Sequence, residues 1–241
     1  MPLLTLVVAL LLGIPVPSEA HVVLDADVVR PILIDLAKYV SESQNGVSGE
    51  ARGEALYLLG EKVQLLVDLM NLDATSHGTS LYADLLVRRL SEYGIRVTRA
   101  EANARYVYDQ AAFQEYVRRE PRGRRVAEAK FRVIAHAFYG SVGSDPAELV
   151  NSDVDQLRRA VGREEAFLKE HPRSENLKEV RFFLAMDYYR LFRHSPDRAT
   201  AMKYERLASR ALREIAQEYP GTAEARAAEV TLEALTAEPR R

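Results

Sequence analysis

The sequence predicts an all-α protein, organised as an α-solenoid of stacked helical hairpins. Three observations predict it. Apolar residues recur at helical spacing through most of the chain, alternating apolar and polar runs of strand length are missing, and one proline-centred corner occurs three times. With 241 residues, of which 47% are hydrophobic, the chain is long enough to bury a sizeable core.

The repeated corner is a proline that follows one apolar periodic segment and precedes a small residue. Pro121, Pro172 and Pro220 lie 51 and 48 residues apart, in the segments YVRREPRG, FLKEHPRS and IAQEYPGT. Proline has no amide proton for the helical ladder and disfavours the helical conformation of the residue before it, so each first helix is expected to end there. Ser174 and Thr222 are expected to cap the helices that follow.

The residues around the three prolines share one register. A bulky residue stands five positions before each proline (Tyr116, Phe167 and Ile215), and apolar residues stand five, eight and twelve positions after it. These positions form facing stripes on two antiparallel helices. The pattern predicts three hairpins: 98–120 with 123–141, 153–171 with 174–194, and 197–219 with 222–238. Three unrelated helix–proline–helix corners in one bundle are the alternative.

The remaining segments complete a three-part organisation. Residues 1–20 are predicted to be a signal peptide, 21–97 to be N-terminal helices of the array, and 98–241 to hold the three hairpins. The N-terminal helices are expected near 27–43, 50–72 and 79–93. Residues 141–152 carry turn-forming residues at both ends and predict a loop.

The first segment contains an apolar run of 12 residues, 3–14, which is shorter than the roughly 20 needed to span a bilayer as a helix. Ser18 and Ala20 follow it with the spacing of a signal-peptidase site. Cleavage after Ala20 is therefore expected, and the mature chain is expected to be periplasmic or secreted and soluble, without stable membrane insertion. A buried N-terminal helix is the alternative.

Composition argues against several kinds of chemistry. Thirty-three basic against 35 acidic residues give a net charge of −2, whereas nucleic-acid binding needs an excess of basic charge. The sequence contains no cysteine, and its five histidines lack metal-ligand spacing. It also contains no glycine-rich phosphate loop and no nucleophile elbow. No catalytic residue, cofactor site or metal site is predicted.

Three stretches resemble a known family. The segments FLKEHPRSENLKEVRFFLAMDYY (167–189) and IAQEYPGTAEARAAEVTL (215–232) resemble the tetratricopeptide-type repeats of bacterial cell-envelope proteins. The similarity is strongest to BamD-type outer-membrane assembly lipoproteins and TolA-binding coordinator proteins. EALYLLGEKV (54–63) is similar to the Ala-x-x-x-Leu-Gly run of such repeats. The resemblance implies a tetratricopeptide-like array that binds envelope proteins or peptides, in outer-membrane or envelope assembly.

Two groups of side chains are candidates for contacting a partner. The first is a cluster of arginines around Pro121, suited to an acidic partner because guanidinium groups pair with carboxylates and phosphates. The alternative is a solvated turn in which they pair with Glu115, Glu120 and Glu128. The second is a set of aromatic residues expected to lie off the core stripe. The candidates are Arg118, Arg119, Arg122, Arg124 and Arg125, and Tyr108, Phe182 and Tyr189.

The function expected from the sequence is that of an exported, non-enzymatic scaffold or adaptor that binds proteins or peptides in the cell envelope. Two alternatives stay open. One is a helical cell-wall-active enzyme, which would need convergent carboxylates. The other is an architectural subunit whose faces are occupied by copies of itself, and the sequence leaves the oligomeric state undetermined.

Overall fold

The fold was obtained as a computed structural model that describes residues 24, 26–46, 48–77, 81–100, 105–141 and 154–237. Of these residues, 81% are helical and 3% lie in strands, which confirms the all-α prediction. The predicted signal peptide at 1–20 lies outside the described residues. So does all of the predicted loop at 141–152 except its first residue.

Nine helices and two short strands make up the described chain. They are α1 (Ala26–Asn45), α2 (Gly49–His77), α3 (Leu81–Glu92), β1 (Val97–Arg99), β2 (Tyr106–Tyr108), α4 (Ala111–Arg119), α5 (Val126–Ser141), α6 (Val154–Glu170), α7 (Leu177–His194), α8 (Arg198–Glu218) and α9 (Ala223–Ala237). Most helix ends lie within three residues of their predicted positions. Apart from the helix predicted at 98–120, the largest difference is at α2, which continues to His77 instead of ending near residue 72.

The predicted helix at 98–120 is wrong over its first half. Val97–Arg99 pairs antiparallel with Tyr106–Tyr108, and the helix begins only at Ala111. Tyr106 and Tyr108 point to the core while Val107 between them is half-buried, which is strand alternation rather than helical spacing. β-Branched and aromatic residues favour this geometry, but a run of three residues is too short to show the period in the sequence.

The chain divides into two compact units, with the boundary between Gly123 and Arg124. The boundary falls two residues after Pro121. Consequently α4 and α5, which were predicted to form the first hairpin, belong to different units.

In the first unit, α2 is the central element. It packs against α1, α4 and β2, and α3 contacts β1. The ring of Phe113 lies directly over Gly60, where a built Cβ atom would be 2.8 Å from the ring carbons. Asn71 also holds β2, since its side-chain amide donates to the Tyr106 carbonyl at 2.9 Å and accepts from the Tyr106 amide at 2.7 Å.

In the second unit, each helix from α5 to α9 packs against the next one along the chain. The helices that follow a proline corner also pack on each other, α5 on α7 and α7 on α9. Their shared core is built from aromatic and aliphatic residues, with Phe167, Phe183, Leu191, Leu212 and Ile215 each at most 2% exposed. Thus α7 contacts all four other helices of its unit.

All three proline corners have the same two backbone hydrogen bonds. The amide just before the proline donates to the carbonyl four residues earlier: Glu120 to Tyr116 at 2.8 Å, His171 to Phe167 at 2.8 Å and Tyr219 to Ile215 at 3.0 Å. The amide two residues after it donates to the carbonyl just before it: Gly123 to Glu120 at 2.9 Å, Ser174 to His171 at 3.0 Å and Thr222 to Tyr219 at 3.2 Å. The corners therefore share one hydrogen-bond pattern, as their sequences predict, although Gly221 in the third corner has a φ of 78° whereas Arg122 and Arg173 have no positive φ.

Of the two residues predicted to cap a helix, Thr222 does so and Ser174 does not. The hydroxyl of Thr222 accepts from the amide of Ala225 at 3.2 Å, so Thr222 caps α9 as predicted. The hydroxyl of Ser174 accepts from the amide of Asn176, and α7 begins one residue later. Ser174 therefore stabilises the turn before α7 and does not cap the helix.

Candidate functional site

The arginines around Pro121 are largely paired with nearby carboxylates. Arg118 and Arg119 both donate to Glu115, Arg118 through its Nε at 2.7 Å. These hydrogen bonds lower the pKa of Glu115 to about 2. On the second unit, Arg125 lies 3.5 Å from Glu128. Two of the three acidic partners expected for a solvated turn are therefore in place.

The other two arginines of this cluster, Arg122 and Arg124, are exposed. The boundary between the units runs between them, with Arg118, Arg119 and Arg122 on the first unit and Arg124 and Arg125 on the second.

The three aromatic candidates do not form an exposed set. Tyr108 and Tyr189 are each 2% exposed, so the expectation that they lie off the core is wrong. The Tyr108 hydroxyl accepts from the amide of Ala112 at 2.8 Å, and the Tyr189 ring lies within 6.3 Å of Phe192. Phe182 is half-buried and packs against Phe138 in the core of the second unit. Sequence spacing placed them on the wrong side because Tyr108 lies in a strand and α7 is buried on almost every side.

A groove in the second unit was not identified from the sequence. It has a volume of about 890 Å³ and lies between the end of α7, one face of α8 and Leu235 of α9. Phe192 of α7 and Met202 of α8 supply apolar surface to it, and Met202 is 47% exposed. The groove lies on α8, which is the first helix of its predicted hairpin.

The walls of the groove carry more positive than negative charge. Five arginines and two carboxylates line it: Arg193, Arg198, Arg206, Arg210 and Arg213, with Asp197 and Glu205. Arg210 pairs with Glu214 at 2.8 Å, and Arg193 donates to the Tyr189 hydroxyl at 3.2 Å. Within the part of the chain that the structure describes, Arg198, Arg206 and Arg213 make no ion pair or hydrogen bond through their side chains.

The rim of the groove is set by the junction of α7 and α8. Asp197 caps α8 by accepting from the amide of Thr200 at 2.8 Å, and this hydrogen bond lowers the pKa of Asp197. His194 lies at the other side of the junction, and burial together with Arg193 and Arg190 lowers its pKa. His194 is therefore mostly neutral at pH 7, and the arginines carry the positive charge of the groove.

A second unpredicted feature is a cluster of charged side chains in the core of the second unit. Arg190 is fully buried, and Asp187 and Glu164 are each 1% exposed. The Nη1 of Arg190 donates to Oδ1 of Asp187 at 2.6 Å, and its guanidinium lies 4.5 Å from the centre of the Phe138 ring. The cluster thus joins α5, α6 and α7.

The carboxyl groups of Glu164 and Asp187 are neighbours in this core, and each has one buried oxygen that makes no hydrogen bond to a described residue. Burial and the neighbouring charge of Asp187 raise the pKa of Glu164 well above its ordinary range. Burial also raises the pKa of Asp187, to about 6, while Arg190 opposes that shift. Both carboxyl groups therefore keep their protons to a higher pH than usual, and Asp187 is the one paired with Arg190.

Paired carboxylates are the feature that the enzyme alternative requires. The pair found here is buried among core residues and does not border the groove. A substrate would have to displace α6 from α7 to reach it. Among the described residues, no group of three or more His, Asp or Glu side chains is placed to hold a metal ion.

No family model matches the chain, and a search of curated proteins finds no significant match to it. Across the described helices, none is both long and apolar enough to cross a bilayer.

Proposed function

We propose that this protein is an exported, non-enzymatic adaptor that binds segments of other proteins in the cell envelope. Its second unit would act as a tetratricopeptide-like array. Two observations support that array: the corners at Pro172 and Pro220 share their hydrogen bonds, and α7 packs against both α5 and α9 while α6 and α8 alternate with them. Stacked hairpins leave the exposed faces of their first helices open to a partner.

The groove along α8 carries the proposal. Its volume of about 890 Å³ suits a short peptide segment, and it combines exposed apolar surface with cationic side chains that have no internal partner. Binding modules of this kind gain affinity by covering apolar anchors and gain specificity from polar groups at the edge.

Assignment to the cell envelope has different support. It rests on the apolar segment at 3–14, on the small residues at Ser18 and Ala20, and on the resemblance of 167–189 and 215–232 to repeats of envelope proteins. The full chain fused at its C-terminus to alkaline phosphatase, which is active only after export, tests it. We expect phosphatase activity in a bacterial host, and an inactive fusion that accumulates inside the cell would refute export.

Peptide binding is tested by selecting from a displayed library of random peptides with the full chain as bait. We expect enriched peptides to bind the wild-type chain and to lose binding to Ala201→Trp, because Ala201 lines the groove and the indole would fill it. Ala166→Trp, on an exposed position of α6, is the matched control and should bind normally. A library that yields no binder, or binders insensitive to Ala201→Trp, would refute the proposal.

The two alternatives give different results. An architectural subunit would form a closed or extended homo-oligomer, which light scattering of the purified chain detects. A cell-wall-active enzyme would release soluble fragments from peptidoglycan and lose that activity in Glu164→Gln.

A further inference from the structure

The arginines of the groove without internal partners follow a regular spacing on α8. Arg198, Arg206 and Arg213 are eight and seven residues apart, so they project within roughly a quarter-turn of one another. At about 1.5 Å per residue, they lie at intervals of about 12 Å and about 10.5 Å along the helix axis. Met202 lies midway between the first two and is 47% exposed.

The unpaired arginines of the groove indicate that its ligand carries negative charge. Elsewhere in the second unit some exposed cations are matched within the chain, as Arg158 is to Asp155, whereas Arg173 is exposed and pairs with no described carboxylate; the groove differs in bringing five arginines together against two carboxylates. Arg198, Arg206 and Arg213 are not matched by any described carboxylate, although Glu205 lies among them in the sequence and lines the same groove. Their charge is therefore available to an acidic ligand.

The spacing and the negative residues of the groove distinguish among acidic ligands. A nucleic-acid strand carries a charge about every 3.4 Å along the helix axis, far denser than cations more than about 10 Å apart. Asp197 and Glu205 would repel a continuous row of phosphates, and a concave site does not match a flat lipid surface. A polypeptide with separated carboxylates avoids these conflicts.

We infer that the groove binds an extended, acidic segment of a partner protein, with one carboxylate on each of Arg198, Arg206 and Arg213 and an apolar side chain on Met202. An extended chain rises about 3.3 Å per residue, so about four residues span the first interval and about three span the second. The segment therefore carries Asp or Glu at every third or fourth position. This inference rests on the proposed function, since it names the class of ligand for the same groove.

The probe is a fluorescein-labelled peptide of about eight residues, built from the rise per residue of an extended chain. It has aspartates at the first, fifth and eighth positions, leucine at the third and serine elsewhere. The same peptide in reverse order covers the opposite direction of binding. A peptide of identical composition with its three aspartates adjacent is the control. Binding to the full chain is measured by fluorescence anisotropy.

We expect one of the two spaced peptides to bind more tightly than the control with adjacent aspartates, and its affinity to fall as the salt concentration rises. Each of Arg198→Gln, Arg206→Gln and Arg213→Gln should weaken it by about tenfold, as removal of a charge-assisted hydrogen bond does. Arg173→Gln, an exposed arginine of the same unit outside the groove, should leave binding unchanged. Because all four positions are exposed, the variants should melt like the wild-type chain.

Each other result overturns the inference. Equal affinity for the control peptide, or insensitivity to the triple arginine variant, would show that the spaced charges do not select the ligand. Stronger arginine-dependent binding of a single-stranded oligonucleotide or of anionic vesicles would assign the groove to those ligands. If library peptides still lose binding to Ala201→Trp in these cases, the proposed function survives without the inference. If library peptides bind Ala201→Trp as well as they bind the wild-type chain, the proposed function and the inference are both wrong.

Discussion

Replacing Glu164 by glutamine tests whether the buried carboxyl pair of the second unit shares a proton. Glutamine has nearly the same shape as a protonated glutamic acid, and its amide can donate to Asp187 as a protonated carboxyl group would. It cannot ionise. The substitution therefore keeps the proposed hydrogen bond and removes only the dependence of that bond on a proton.

The size of the expected stability change follows from the linkage between proton binding and folding. In the unfolded chain, Glu164 ionises around its ordinary pKa of 4.5, whereas burial keeps it protonated in the folded unit to a higher pH. Folding then takes up a proton, so the free energy of unfolding falls by about 1.4 kcal/mol for each pH unit between these two pKa values. Each pH unit over which the folded unit keeps this proton therefore costs the wild-type protein about 1.4 kcal/mol that the glutamine variant does not lose.

The assay is urea denaturation of both proteins at a series of pH values, followed by circular dichroism, with hydrogen exchange of α6 and α7 to isolate the second unit. We expect similar stabilities near pH 5 and a growing advantage of Glu164→Gln above it. Glu229→Gln, at an exposed position of α9, is the matched control and should show no such trend.

A stability difference that stays constant from pH 5 to pH 8 would refute this account. It would mean that Glu164 is ionised in the folded unit, with Arg190 balancing two negative charges.

Four further substitutions have definite expected effects on the free energy of unfolding, measured in the same way. Gly60→Ala should lower it by about 1–3 kcal/mol because the new methyl group meets the ring of Phe113, whereas Gly162→Ala, which has open space around it, should raise it by about 0.5–1 kcal/mol. Thr222→Ala should lower it by about 0.5–2 kcal/mol through loss of the α9 cap. Arg190→Met should lower it by about 3–5 kcal/mol because a buried carboxylate loses its cation. An Arg190→Met protein with an unchanged free energy of unfolding would contradict the buried ion pair. A Gly60→Ala protein as stable as Gly162→Ala would contradict the contact of Gly60 with Phe113.

The candidate site was less predictable than the fold. The arginines around Pro121 were predicted to contact a partner because they cluster in the sequence. In the structure, Arg118, Arg119 and Arg125 pair with carboxylates about one helical turn away. The arginines of the groove are seven and eight residues apart. They form a line only on a continuous helix, and their lack of internal partners depends on which carboxylates α7 and α9 bring near.

The sequence by itself determined the helices of the second unit and the proline corners between them, because proline chemistry, capping and helical spacing act within a few residues along the chain. Contacts between distant residues decided the rest. Pairing with a strand nine residues away made Tyr106 and Tyr108 a strand, and the packing of α6 on α7 brought Glu164 to Asp187. The groove likewise exists only where α7, α8 and α9 meet, since its surface is formed by their packing.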